Sequence, residues 1–113
     1  MKIIHISAEC YPVAKVGGLA DVVGSLPKYQ NKLGFETAVV MPYYENKFNQ
    51  NNTYTIVHTT RIEMGDTQYE ASVLALQSSK LGYPLYSVKI PGLLDREDVY
   101  GYPDDTERFL AFQ

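Results

Sequence analysis

The chain reads as an α/β protein: a partial doubly wound (Rossmann-like) parallel sheet with a β-hairpin excursion. An apolar strand-like run, Ile3-Ile4-His5-Ile6, passes through a glycine-containing loop into a segment of helical spacing, and a second apolar run follows it, which is the order of a βαβ unit. Further on, two runs of strand-forming residues flank the turn Gly65-Asp66-Thr67, the mark of an antiparallel hairpin. A third apolar run then returns between a Gly-Tyr-Pro and a Pro-Gly punctuation.

Taken in order, the helix should begin near Leu19. Leu19, Val22, Val23, Leu26, Tyr29 and Leu33 recur at the three-and-four spacing of one helical face. It should end near Leu33 with Gly34 as a left-handed cap. Pro27 lies inside it and removes a backbone hydrogen bond, so a bend is expected around Val23 and Gly24. Residues 36–41 form the second buried strand, which Pro42 terminates, and a polar loop occupies 45–53. The hairpin strands are 54–64 and 68–76, and residues 85–90 make the third core strand, stopped by Pro91-Gly92. After a long loop, Asp104 and Glu107 are spaced to cap a last helix carrying Phe109, Leu110 and Phe112.

Composition narrows the function. The chain has 113 residues, 45% hydrophobic and 20% charged, enough apolar material for one core and too little length for a two-domain enzyme. A net charge of −3 without a lysine or arginine cluster speaks against nucleic acid and anionic membranes. The opening apolar run is too short and too polar for a signal peptide, and nothing approaches a membrane span, so a cytoplasmic location is expected. Cys10 cannot form an internal disulfide and reads as a packed thiol. His5 reads as a satisfied core histidine and His58 as part of the hairpin. No metal-ligand cluster is evident, and no cofactor is expected.

The chemistry concentrates in Lys15-Val16-Gly17-Gly18-Leu19-Ala20-Asp21-Val22-Val23-Gly24. A helix N-terminus presents amide N–H groups without intrahelical partners, and adjacent glycines let an anion approach without meeting a β-carbon. Lys15 adds a full positive charge. The spacing is neither G-x-G-x-x-G nor G-x-x-x-x-G-K-[ST], so the two common phosphate fingerprints are absent, and a tight turn beside a solvated lysine is the plainer alternative.

The longer run from Ser7-Ala8-Glu9-Cys10-Tyr11-Pro12 through Lys15-Val16-Gly17-Gly18-Leu19-Ala20-Asp21-Val22 to Ser25-Leu26-Pro27-Lys28 closely resembles the amino-terminal signature of bacterial glycogen synthases and plant starch synthases. The resemblance continues through Val39-Val40-Met41-Pro42-Tyr43-Tyr44 and returns at Leu94-Asp95-Arg96, Tyr100-Gly101 and Asp105-Thr106-Glu107-Arg108-Phe109. It implies a GT-B type glycosyltransferase, whose two α/β domains close on ADP-glucose and whose reaction extends an α-1,4-glucan at its non-reducing end. Residues 1–113 would be an incomplete amino-terminal catalytic domain with a hairpin insertion at about 54–76. The family's catalytic histidine has no counterpart here, so no catalytic residue is expected within the chain, which looks like a fragment and should be inactive alone.

By analogy with that family, Lys15 contacts the sugar-nucleotide donor and the Gly17-Gly18 loop lies against its phosphates. Asp21 either accepts a bond from a sugar hydroxyl or simply complements the helix dipole. Glu9, a second acid beside a diphosphate, reads better as packing or as a hydrogen-bonded brace of the loop. Tyr100, rather than Tyr102, would offer an aromatic face to a sugar at the carboxyl end of the sheet. UDP-glucose stays open as donor, and a non-catalytic anion- or glucan-binding module stays open as the alternative. The free edge of an incomplete sheet and the stub Glu107 to Gln113 also lead us to expect a fragment that is either marginally stable or self-associated through one of them.

Overall fold

The structure, a computed structural model, describes residues 1–77 and 80–94. Tyr100, Tyr102 and the last helix expected after Asp104 lie outside the described residues. Five strands and two helices follow in the order β1 (Lys2–Ile6), α1 (Gly18–Lys32), β2 (Glu36–Pro42), α2 (Lys47–Gln50), β3 (Tyr54–Met64), β4 (Thr67–Leu76) and β5 (Leu85–Lys89). The strands form one sheet in the order β1-β2-β5-β4-β3. The β1–β2 and β2–β5 pairs are parallel, whereas β5–β4 and β4–β3 are antiparallel.

The expected strand–helix–strand unit and the hairpin are both present. The hairpin, however, continues the same sheet as its antiparallel edge instead of leaving it. The turn is tighter than read from sequence: Met64 pairs with Thr67, leaving Gly65-Asp66 as a two-residue loop with Gly65 at φ +62°. Gly34 at φ +94° caps α1 as expected. The polar loop contains an unexpected single turn of helix, α2, whose N-cap Asn46 accepts from the Asn49 N–H at 3.0 Å.

Residues of β2 alternate between the two faces of the sheet. Thr37, Val39 and Met41 are buried beneath α1, with Leu85 of β5 beside them. Cys10, Val13, Ala14, Val23, Tyr44 and Tyr83 complete this core. A smaller cluster of Ala71, Ile90, Leu93 and Leu94 covers part of the opposite face near β4 and β5. Cys10 is fully buried, as its packing role requires, and His5 joins β1 to α1 through a 2.7 Å bond between Nε2 and Gln30 Oε1.

The orientation of α1 departs from the periodicity. Its core side is Ala20, Val23 and Pro27, while Leu19, Val22, Leu26, Tyr29 and Leu33 are all exposed, Leu33 by 76%. The helix carries apolar residues on more than one side, and small ones serve the close approach to the sheet. The larger residues therefore dominate the pattern and point away from it. On the sheet's opposite face, Ile4 and Ile6 of the edge strand β1 are 62% and 84% exposed. Helix α1 runs on through Pro27 without interruption. The missing side chain of Gly24 also meets a packing need: a Cβ there would overlap the carbonyl oxygen of Tyr11.

Candidate anion-binding site

Residues 7–17 leave the carboxyl end of β1 and enter the first turn of α1. Hydrogen bonds tie this loop from several sides. Tyr44 Oη donates to Ala8 O at 2.6 Å, Asn46 Nδ2 to Val13 O at 2.8 Å, and the Tyr11 N–H to Ala20 O at 2.9 Å. Within the loop, the amides of Val13 and Ala14 both donate to Cys10 O. Burial pushes the Cys10 thiol above its ordinary pKa, a shift that the 3.4 Å contact with Tyr83 Oη partly offsets. Such a thiol is held protonated inside the core and offers no nucleophile.

At the outer rim, Lys15 Nζ donates to both oxygens of Asp21, at 3.0 and 2.9 Å, with both side chains about half exposed. The ammonium also lies 5.8 Å from the Tyr11 ring centroid. Sequence reasoning named Lys15 and Asp21 separately; the fold brings them together as an ion pair one helical turn beyond the glycines. Such a half-exposed pair is worth about 0–1 kcal/mol, weak enough to be exchanged for a stronger anion.

Gly17 is the N-cap of α1, extended at φ −152°, and it has no side-chain cap. Neither Gly17 nor Gly18 has a positive φ, and a Cβ built on either would meet nothing within 4 Å. The fold of the described residues thus requires neither glycine, and both are exposed. The Gly17 N–H is engaged by Glu9 Oε1 at 3.3 Å, and the Ala20 N–H by the same oxygen at 3.0 Å. Glu9 is accordingly the brace expected of it, 3% exposed. The amides of Gly18 and Leu19 have no hydrogen-bond partner among the described residues.

A cleft of about 340 Å³ opens at the carboxyl ends of β1, β2 and β5, lined by Ile6, Ser7, Ala8, Val40, Pro42 and Leu94 among others. It begins where the loop begins but includes none of Lys15, Gly17, Gly18 or Asp21. Ligand sites of open α/β sheets lie at this end. Pairing of Lys15 with Asp21 and capping by Glu9 escaped the sequence reading because each joins residues six to eleven positions apart across a loop of irregular backbone. One signal for Glu9 was available: a glycine N-cap leaves amides in need of an acceptor, and an acid lies eight residues upstream in the same loop.

An α/β unit with a cationic, glycine-lined helix start at the carboxyl end of its parallel strands is a wall suited to a phosphorylated ligand. The comparisons make the class specific. The family model of the starch synthase catalytic domain matches residues 2–113. The chain is 55% identical over its whole length to a glycogen synthase of Flavobacterium johnsoniae, of which it spans 24%. It is 40% identical over 112 residues to a glycogen synthase of Acholeplasma laidlawii, spanning 23% of that protein. Its fold matches the catalytic domain of starch synthase IV from Arabidopsis thaliana, bound to ADP and acarbose, with a TM-score of 0.77 and 26% identity over 96% of this chain and 22% of that one. The chain belongs to the starch synthase catalytic domain family and corresponds to about a quarter of the length of these relatives.

Proposed function

We propose that this chain is the amino-terminal, donor-side part of a glycogen (starch) synthase that transfers glucose from ADP-glucose, with retention, to the non-reducing end of an α-1,4-glucan. Family membership supports the reaction class, and a neighbour of the same fold was solved with ADP and a saccharide. The observation that carries the reading is the open helix start. Lys15 stands beside glycines that the fold of the described residues does not need, and the Gly18 and Leu19 amides have no hydrogen-bond partner among those residues.

In this reading, cleavage of the glucose–phosphate bond builds negative charge on the departing diphosphate. Lys15 and the Gly18 amide stabilise that charge as it grows. Gly17 contributes chiefly the absence of a side chain, its own N–H being held by Glu9. Asp21 holds Lys15 extended until the diphosphate takes it over, and is then free to accept a hydrogen bond from a sugar hydroxyl of donor or acceptor. Tyr100 would stack against a sugar. The chain alone would be inactive, for the other wall of the cleft and the expected histidine lie outside it, and the enzyme would work in the cytoplasm.

Lys15→Ala in a complete synthase polypeptide carrying these 113 residues tests the proposal. Loss of a charge-assisted contact to phosphate should weaken donor binding by about 1.5–3 kcal/mol, roughly 10- to 150-fold. Lys15→Arg should be milder. Unchanged donor affinity and rate in the alanine variant would remove Lys15 from the site.

A further inference from the structure

The first turn of α1 lacks the side-chain oxygen that usually receives its amide protons, because its N-cap is Gly17. The acceptor arrives from the far end of the loop. Glu9 Oε1 takes both the Ala20 N–H at 3.0 Å and the Gly17 N–H at 3.3 Å, in a residue only 3% exposed. Its backbone is fixed in turn by Ser7, whose hydroxyl donates to Glu9 O at 2.7 Å. Burying a carboxylate is costly unless hydrogen bonds and local charge offset it, and two amides at the positive end of a helix do so.

We propose that Glu9 is a positioning residue of the donor site: it draws two amides inward, so that Lys15 and the two remaining amides, of Gly18 and Leu19, are presented to the diphosphate. The proposal rests on the donor-site reading given above. Two properties of Glu9 are then separable. Its length spans the gap from the strand end to the helix start, and an aspartate, one methylene shorter, does not. Its charge occupies the same end of the helix dipole that a diphosphate uses, which weakens the hold on ADP and favours its departure.

The test uses a complete synthase polypeptide carrying this chain, with ADP affinity read by calorimetry and glucosyl transfer by initial rates. Glu9→Gln keeps the accepting oxygen without the charge, so ADP should bind about 2- to 5-fold more tightly, the size of one charge–dipole interaction. Glu9→Asp keeps the charge without the reach, so KM for the donor should rise about tenfold, with kcat changing less than KM. A residue that only stabilised the fold would lower the amount of active enzyme, and hence kcat, with KM unmoved. Lys15→Ala serves as the reference: if it leaves ADP binding intact, the donor site lies elsewhere and the role of Glu9 falls with it. If Lys15→Ala weakens binding while Glu9→Gln binds ADP no more tightly than the parent, or Glu9→Asp leaves KM unaltered, the inference about Glu9 alone is overturned. Should the aspartate variant fail to fold, the glutamine variant decides.

Discussion

Replacing Gly24 by alanine sets two physical effects against each other. Gly24 sits inside α1, where alanine is favoured over glycine by about 1 kcal/mol. Against this, the added Cβ would overlap the Tyr11 carbonyl oxygen and stand 3.2 Å from its carbon. These are backbone atoms, unable to swing aside as a lysine tip would. Moving them strains the Tyr11 N–H bond to Ala20 O and disturbs Cys10, which is 0% exposed. Overpacking of this sort costs about 1–3 kcal/mol, and loss of one hydrogen bond adds about 1 kcal/mol. The net expectation is a destabilisation of about 1–3 kcal/mol, seen as a fall in Tm of at least about 4 °C in a thermal melt followed by circular dichroism. Gly18→Ala is the control: nothing lies within 4 Å of its added Cβ, so its effect should stay within about 0.5 kcal/mol. A Gly24→Ala variant that melts higher than the parent would show that helix propensity wins and that the loop is looser than its hydrogen bonds indicate.

Three further outcomes are expected. Thr37 is 3% exposed and its hydroxyl has no hydrogen-bond partner among the described residues, so Thr37→Val should stabilise by about 1–2 kcal/mol in urea denaturation; a loss of stability would reveal a partner for the hydroxyl. Burial pushes Tyr54 up to about 12 from 10.0, and it raises Tyr83 as well. Both groups are acids with raised folded pKa values, so their contribution is complete below about pH 10 and disappears as pH climbs towards 12. A urea midpoint that holds constant from pH 9.5 to 12 would contradict this. Finally, the 113-residue chain by itself should associate through the edge of β1 and the surface holding Ile4 and Ile6, 62% and 84% exposed. Sedimentation of a monomer whose melting matches that of a complete synthase domain would refute it.

Much of the fold was legible because its signals are local. Ile3 to Ile6, the apolar run before Pro42, the Gly65 turn and Gly34 each announce an element within a few residues. What stayed hidden depends on contacts between distant positions. The insertion of β5 between β2 and β4 follows from pairings that no periodicity encodes. Of the inward residues of α1, the periodic pattern picks out Val23 but passes over Ala20 and Pro27, which a hydrophobic pattern weighs little. At the site, Lys15, Gly17, Gly18 and Asp21 stood out by type and spacing. The Lys15–Asp21 pairing and the capping role of Glu9 emerged only once the loop had a course in space.

Residues 7–17 are stitched to β2, α1 and the segment after β2, so in the proposed enzyme this wall would need little ordering when a ligand arrives. A ligand meeting it gives up its own freedom but does not have to freeze the loop's. Little heat-capacity change should therefore originate on this side of the cleft, and any large one measured for donor binding would report closure or ordering in other parts of the enzyme. In the proposed enzyme the segment would serve as an anvil, the fixed face towards which the other wall closes.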